Sequence, residues 1–318
     1  MRAPEPEVAR VDAPDRGAAT AALVASGRRP RLDAAEMAPL RPWLAPWWRA
    51  TPGDEPVLLY MILIHVGAVA AVVLAPLPGW PIAICALAFH FLGGLGTTVC
   101  YHRAIAHRSV KLHPAVRQVL TFFAMFNGSG SPLSWAAYHR LHHAKSDTPE
   151  DISSPRVGGF WWSHLRWLWQ AGGPPIQKYC KEIDRPGYRN WVHFQIPILA
   201  LSVFGALPFG LAAFLWIGPL RLVFALHAQC FVNSVCHMRK VASPDEATAK
   251  NVRWLSLLHG FQGENWHQNH HDRPGSARLG WTPGQLDVGW YTILLLEKVG
   301  LATDVRRPDL TRSLDAAA

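Results

Sequence analysis

Two long stretches of this 318-residue chain contain no aspartate, glutamate, lysine or arginine. They run from Pro56 to Tyr101 and from Asn190 to Leu220. A helix needs roughly 20 apolar residues to cross the hydrocarbon core of a bilayer, so each stretch is long enough for two membrane helices. Turn sequences with Pro and Gly divide the stretches at 76–80 and at 207–210. The sequence therefore predicts two helical hairpins, with spans near 56–76, 80–100, 191–207 and 211–234.

The composition agrees with a membrane protein. Half of the residues are hydrophobic while the mean hydropathy is only +0.06, so the apolar residues must be concentrated in a few segments. Arg221 falls inside the fourth predicted span, where its charge must pair or face protein rather than lipid. The predicted fold class is all-α: an integral membrane protein whose four transmembrane helices form two hairpins beneath a helical cap.

The positive charges are expected at one end of these hairpins. Both turns lack charge, whereas Lys and Arg are frequent before the first span, in the middle loop 102–190 and in the C-terminal third. Because cations favour the cytoplasmic side, both hairpins are predicted to begin and end in the cytoplasm. We interpret the net charge of +9 as contact with anionic lipid headgroups or an acidic protein partner, and not as nucleic-acid binding.

One membrane domain, residues 51–305, is predicted between two tails. Residues 1–50 are typical of a disordered tail that ends in an interfacial anchor containing Trp43, Trp47 and Trp48, and 306–318 of a C-terminal tail. No signal peptide is recognised, because the first apolar run begins far from Met1. The five cysteines have no metal or redox spacing and are predicted to be free thiols of the core.

Four spaced groups of histidines lie at the ends of the predicted spans. They are His102 and His107; His139, His142 and His143; His237; and His267, His270 and His271. Imidazole binds iron, copper, zinc and nickel, and nine imidazoles exceed the roughly four ligands of a typical site, so two metals are predicted to share them. The absence of cysteine from the set argues against an iron–sulfur cluster. Both triplets occupy positions i, i+3 and i+4 of a helix, and Asn233 and His237 are four apart, so each group is predicted to face one way.

The other histidines have a simpler interpretation. An intramembrane histidine is unfavourable unless it finds a partner, so we expect these residues to be hydrogen-bonded packing or interfacial side chains rather than ligands. They are His65, His90, His113, His164, His193, His227 and His259.

The ordered boxes HxxxxH, HxxHH, NSxxH and HxxHH, with membrane spans between them, resemble those of the membrane fatty acid desaturases, specifically the Δ9-type acyl desaturases. The resemblance covers roughly residues 50–305 and extends to Tyr101-His-Arg103, His107-Arg-Ser109, Ser146-Asp147, Gly159-Phe-Trp-Trp-Ser-His164 and Gly263-Glu-Asn-Trp-His267. It implies an O2-dependent enzyme that introduces a cis double bond, at position 9, into a saturated long-chain acyl substrate. It also implies that the nine histidines bind two irons and that Asn233 reaches one iron through water. The implied location is a bacterial inner membrane, with both termini and the active site in the cytoplasm.

Three differences narrow what the resemblance implies. His267 stands where front-end desaturases carry Gln, and the fused cytochrome b5 motif His-Pro-Gly-Gly is absent, so a separate ferredoxin or cytochrome b5-like protein is expected to supply electrons. Ala137 and Tyr138 replace the Arg-Asp pair that contacts coenzyme A in animal stearoyl-CoA enzymes, so the substrate stays open between a CoA thioester and a lipid. The predicted contacts of the electron donor are the cations that flank the boxes: Arg103, Arg108, Lys145 and Arg273.

Two further sets of residues are predicted around the metals. Of the acidic neighbours Asp147, Glu150, Asp151, Glu264 and Asp272, we select Asp147, Glu264 and Asp272 as acceptors for the free ring N–H of ligating histidines. An apolar tunnel for the acyl chain should reach under the metals. Because the second span runs into His102, the closed end of that tunnel is predicted between Ala86 and Leu92, roughly 15–24 Å deeper in the bilayer, with Ala86, His90 and Gly93 facing it.

Two alternatives stay open from the sequence. A hydroxylase on the same di-iron scaffold shares the first hydrogen abstraction and would differ in its product. A histidine-rich membrane metal transporter would instead place polar residues or histidines near the bilayer midplane along a path, which charge-free hairpins fit poorly.

Overall fold

The computed structural model describes residues 37, 40–241, 243 and 246–309. Within them the α-helices are α1 (Glu55–Leu74), α2 (Trp80–Leu95), α3 (Pro114–Phe126), α4 (Pro132–Lys145), α5 (Pro155–Trp161), α6 (Trp167–Gln170), α7 (Ile176–Tyr179), α8 (Pro186–Arg189), α9 (Trp191–Phe204), α10 (Leu211–Leu215), α11 (Arg221–Asn233), α12 (Leu255–Leu258), α13 (His267–Asp272) and α14 (Val288–Lys298). Wider π-helical turns cover Gly96–Ala106, Trp162–Arg166 and Trp216–Leu220. Short 3-10 turns cover Pro42–Leu44, Lys181–Ile183, Leu207–Phe209 and Val235–His237, and the strands are β1 (Lys111–Leu112) and β2 (Ala302–Thr303).

Four continuous helices in the described part of the chain are long and apolar enough to cross a membrane, as predicted. The first to fourth spans are Glu55–Leu74, Trp80–Ala106, Pro186–Phe209 and Leu211–His237. The second and fourth spans end later than predicted because π-helical and 3-10 turns continue them beyond their apolar part. His102 and His237 therefore lie on the spans themselves, at the end that carries the cap.

Arg221 is buried among protein groups in the fourth span, as predicted. Its guanidinium donates to the Asn127 side-chain oxygen at 2.8 Å and to the Ile217 carbonyl at 2.6 Å, and it also bonds the Ser202 hydroxyl. These neutral acceptors, together with the Phe126 ring 4.9 Å away, keep the charge from lipid.

The segment before the first span is bound to the part of the chain between the second and third spans. The Gln170 amide donates to the carbonyls of Pro46 and Arg49 at 2.8 and 2.7 Å, and Trp43 packs edge-on against Trp162. Trp48 is 79% exposed and is free to meet headgroups. The predicted disorder of the tail falls mainly on residues 1–36, which lie outside the described residues.

The chain after α14 folds back onto the second span. β2 pairs antiparallel with β1, Lys111 opposite Thr303, and adds a small sheet to the otherwise helical fold. The Arg306 N–H then donates to the Ser109 carbonyl at 2.8 Å, so ordered packing continues past the predicted domain end at 305. All five cysteines are free thiols, but Cys85 is exposed on the second span rather than in the core.

Candidate metal centre

The first histidine box depends on a local widening of the second span. In an α-helix, residues five apart point about 140° away from each other, so His102 and His107 would face different directions. The π-helical turn Gly96–Ala106 changes this, because its bonds run from i to i+5. The His107 N–H donates to the His102 carbonyl at 3.0 Å, and the two ring centroids lie 5.0 Å apart. The five-residue spacing thus belongs to a π-helix and puts both rings on one face.

The two HxxHH triplets are each divided between two sites. In α4, His139 and His143 are about 40° apart around the helix, while His142 lies about 100° from His143. The pair joins the rings of the first box, and His142 points to the neighbouring group. In α13 the pair His267 and His271 joins His142, whereas His270 reaches back to the first group. Each triplet therefore contributes to both sites, and the prediction that each triplet faces one way is wrong, because positions i, i+3 and i+4 spread over about 100° of the helix.

All nine boxed histidines fall into two buried or half-buried clusters. The five-histidine cluster contains His102, His107, His139, His143 and His270, and the four-histidine cluster contains His142, His237, His267 and His271. Within each cluster one nitrogen from every ring lies within 4.8 Å of all the others. The presence of two clusters agrees with the two metal sites predicted from the count of nine histidines.

The nitrogens converge in a way that suits a metal ion. The His270 Nε2 lies 3.0 Å from the His102 Nε2 and 2.8 Å from the His143 Nε2. A single ring proton cannot satisfy all three nitrogens, so lone pairs face one another unless a cation stands between them. Two nitrogens bound at about 2.1 Å to one ion are roughly 3.0 to 3.4 Å apart, close to these separations. The geometry fits a bound metal.

One carboxylate holds one ring of each cluster. Glu264 approaches the His102 Nδ1 to 2.8 Å and Asp151 approaches the His142 Nδ1 to 2.9 Å. An Nδ1–H that donates to a carboxylate leaves the Nε2 lone pair for a metal and raises its basicity. Asp151 is itself fixed by the backbone N–H groups of Asp147 and Ser153.

A third carboxylate acts through a hydroxyl. The His237 Nδ1 lies 3.2 Å from the Thr248 hydroxyl, which donates to Asp147. Asp147 also accepts from the Thr248 N–H at 2.8 Å and has a left-handed backbone, with φ of 64°. Aspartate tolerates this backbone conformation better than most residues. In this conformation the Asp147 carboxylate faces Thr248, in the segment that follows His237.

Burial keeps most of these rings in the neutral form that binds metals. Burial and the neighbouring His102 lower the pKa of His107 to about 2, and burial places the pKa of His270 well below its usual value. Burial also lowers the pKa of His142, but the Asp151 carboxylate outweighs it and the net pKa is raised. Burial raises the pKa of Glu264, yet His102 and Arg103 prevail and bring it to about 2. The Glu264 carboxylate is thus charged at neutral pH.

The sequence of this chain is similar to those of known proteins. A profile of the fatty acid desaturase family matches residues 77–282. The chain is 36% identical to Delta-9 acyl-lipid desaturase 1 of Arabidopsis thaliana over 241 residues, 72% of this chain and 76% of the relative. It is 31% identical to an sn-1 stearoyl-lipid 9-desaturase of Anabaena variabilis over 258 residues, 79% and 93%. It is 36% identical to an acyl-CoA 5-desaturase of Anemone leveillei over 230 residues, 68% of each.

The chain belongs to the fatty acid desaturase family. It is an oxidoreductase of lipid metabolism and an integral membrane protein, and its histidine clusters are consistent with the metal site of such enzymes. Family membership decides against the metal-transporter alternative.

The remaining predicted site residues of the desaturase have varied surroundings. Asn233 ends α11, four residues before His237. Asp272 and Glu150 are exposed. Within the described residues, the carboxylates nearest to boxed ring nitrogens are those of Glu264, Asp151 and Asp147, so Asp151 makes the contact with a histidine that was predicted for Asp272. The sequence signal for Asp151 was its place nine residues after His142, beyond the end of α4.

The predicted tunnel residues of the desaturase lie on α2. Ala86 is buried. The His90 Nε2 lies 2.9 Å from the Leu258 carbonyl and its ring packs against Phe224. A Cβ at Gly93 would stand 2.3 Å from the Asn127 Cβ, so that glycine is a point of close helix contact. Their assignment to a tunnel stays a prediction.

The other histidines of the desaturase are hydrogen-bonded, as expected for packing residues. His65 bonds His227, whose other ring nitrogen lies 2.8 Å from His164. His164 in turn contacts the Ser234 hydroxyl at 2.9 Å, and the His259 Nε2 lies 2.7 Å from the Ala228 carbonyl. His113 caps α3, and His193 is exposed in the third span.

Arg103 corrects one prediction about the electron donor. It is buried, and its guanidinium donates to the Ala277 and Gln262 carbonyls and to Asp287 at 2.8 to 3.0 Å. The prediction that Arg103 contacts a protein partner at the surface is therefore wrong. Sequence position beside a box gave no sign of this, because the π-helix turns the residue towards the C-terminal part of the cap.

Proposed function

We propose that this desaturase binds two irons, one in each histidine cluster, and uses O2 to place a cis double bond at position 9 of a saturated long-chain acyl substrate. The observation that carries the proposal is the division of nine histidines into two groups, each with the size and nitrogen geometry of one metal site. Imidazole suits several metals, but removing hydrogen from unactivated methylenes requires an oxidant, and zinc has no redox chemistry.

Iron with O2 would supply the oxidising power for the reaction. The chain's own contribution is positional. Glu264 and Asp151 fix the tautomers of His102 and His142, so that the Nε2 lone pairs point into the clusters. Burial of His102, His142 and His270 excludes water from the site and limits side reactions.

The electron balance supports a separate donor. Reducing O2 to two waters takes four electrons and four protons, and the two hydrogens lost by the acyl chain supply half of each. The other two electrons are assigned to a ferredoxin or cytochrome b5-like protein, and the other two protons to the solvent. Arg108 is 55% exposed and paired with Glu182, while Lys145 and Arg273 are half-buried. Docking through these cations should weaken as salt rises, since exposed charges are screened over about 8 Å at physiological ionic strength. Turnover that ignores salt at a subsaturating donor concentration would contradict this.

Position 9 and the acyl carrier rest on the relatives. Two of the three relatives described above are named for position 9 and one for position 5, and two are named for lipid-linked substrates and one for acyl-CoA. We therefore propose position 9, with the acyl chain on a lipid or on CoA. The location proposed is a bacterial inner membrane with cap and termini in the cytoplasm, supported by the exposed Arg239 and Lys240 directly after the fourth span.

Expression in a host that lacks unsaturated fatty acids tests the proposal. Mass spectrometry of the cellular lipids should find a cis double bond at position 9, and the purified protein should hold two irons per chain. His270→Ala is the inactive control, and His193→Ala is the matched variant expected to keep activity. A double bond at another position would refute the assignment of position 9. A hydroxylated product without a double bond, or zinc in a fully active protein, would refute the reaction or the metal.

A further inference from the structure

A cleft of about 510 Å³ lies on the outer side of the turn that carries the first histidine box. Its walls come from the end of the second span, from β1, from the start of α3, from the segment before the third span and from the chain after β2. Ala104 and Ile105, which line it, lie between His102 and His107. The cleft is separate from both histidine clusters, whose rings point to the other face of the same turn.

The charged side chains of the cleft are mostly cations. Five Lys and Arg residues and two carboxylates line it. One carboxylate, Glu182, is already paired with Arg108 and Arg140. The other four cations of the cleft make no ion pair with any carboxylate in the described part of the chain: Lys111, Arg117, Arg185 and Arg306. Like charges gathered in one cleft repel each other, so a bound anion would stabilise this region.

Two of these cations are held in place by one aromatic ring. The Arg117 guanidinium donates to the Tyr188 hydroxyl at 2.9 Å and lies 4.8 Å from the ring centroid. Arg185 lies 5.5 Å from the same ring, and Tyr188 is buried. Fixed guanidinium groups lose little freedom when they bind an anion, and their planar donors match phosphate oxygens.

The cleft lies at the level of lipid headgroups. Arg185 directly precedes the third span, which begins at Pro186, and Ala104 and Ile105 belong to the last turn of the second span. Lys and Arg at the ends of spans meet the phosphates of anionic lipids, each with roughly 1 kcal/mol of attraction. A diffusible phosphate compound offers the same chemistry, but the depth of the cleft favours a lipid.

We propose that this cleft binds the phosphate of an anionic phospholipid. Bound there, the phosphate bridges β1 and the chain after β2 to the start of the third span, and so braces the turn between His102 and His107 from outside. The ligand is a structural lipid and not the substrate, because the walls described here separate it from the clusters.

The test uses the metal-loaded, full-length enzyme in a neutral detergent at constant ionic strength. Its melting temperature is followed by tryptophan fluorescence while short-chain phosphatidylglycerol, short-chain phosphatidylcholine or inorganic phosphate is titrated. The test variant is the double substitution Lys111→Gln and Arg306→Gln, which leaves the Arg117–Tyr188 contact intact. Arg253→Gln, an exposed cation outside the cleft, is the matched control.

Phosphatidylglycerol should raise the melting temperature saturably in the wild type and in Arg253→Gln. The double variant should need about 30-fold more lipid, because two cations are lost. Phosphatidylcholine should be much weaker. Equal responses of all three proteins would overturn the site, and an equal response to inorganic phosphate at the same concentrations would overturn the assignment to a lipid.

Discussion

The two histidine clusters are built differently, although they share α4 and α13. The five-histidine cluster has one carboxylate behind it, Glu264 on His102. The four-histidine cluster has two, with Asp151 on His142 and Asp147 reaching His237 through Thr248. The five-histidine cluster therefore has more imidazoles, whereas the four-histidine cluster has fewer imidazoles and more carboxylates that hold them. The role of Asn233, four residues before His237, stays a prediction.

Removing a histidine from α4 or α13, the two helices that contribute to both clusters, should reduce desaturation most. His270→Ala deletes the nitrogen that contacts both His102 and His143, and His142→Ala deletes a ligand of the smaller cluster. We expect each to reduce desaturation more than about a hundredfold, beyond the loss typical of supporting residues. Product analysis and metal content per chain measure this, with His193→Ala as control. Full activity in either variant would refute the ligand assignment.

Neutralising the supporting carboxylates should separate the clusters. Glu264→Gln should weaken metal binding at the five-histidine cluster, and Asp151→Asn at the four-histidine cluster, each by about 10- to 100-fold. Competition with a chelator should then strip about one metal before the other in both variants. The exposed Asp272→Asn is the control, and it should behave like the wild type. If Asp272→Asn lost metal as readily as Asp151→Asn, the role given to Asp151 would be wrong.

Acid should distinguish His142 from His107 in the metal-free protein. The folded chain holds the pKa of His107 near 2, so as the pH falls below 6.5 the unfolded chain takes up a proton that the folded chain refuses, and the free energy of unfolding falls. Each such histidine contributes up to about 1.4 kcal/mol per pH unit. His142 acts oppositely: its raised pKa gives stability that is present below pH 6.5 and lost as pH rises through the raised value.

Melting temperatures between about pH 7.5 and about pH 5.5 measure this difference, because histidine titrates in that range. His107→Gln should reduce the loss of stability in acid. Asp151→Asn should increase it, since His142 then loses the carboxylate that favours its proton. Identical pH profiles for the wild type and both variants would contradict the account.

Much of this arrangement could be predicted from sequence. Charge-free stretches located the spans, and box spacing located the nine histidines that form the two clusters, because both depend on local periodicity. The division of each triplet could not be predicted from its spacing. Side chains that spread over about 100° of one helix contribute to two clusters only when other helices pack on both sides of that helix. The burial of Arg103 depends on contacts with Gln262, Ala277 and Asp287, more than 150 residues away. Asp151 was among the acidic neighbours, but only the turn after α4 points it at His142.

The smallest expected effect concerns the span that leads to the five-histidine cluster. Ala86 is buried on α2, about four turns before His102, and is the predicted closed end of the acyl tunnel. Ala86→Phe should shift preference a few-fold towards shorter chains and leave the double bond at the same distance from the carboxyl end. The comparison variant is Gly67→Ala on the first span, whose new methyl would meet Pro219 and should reduce stability without changing preference. Chain-length competition with mixed acyl substrates measures both. An Ala86→Phe enzyme that is merely slower, with unchanged preference, would place the tunnel's end elsewhere and make Ala86 a packing residue of the second span.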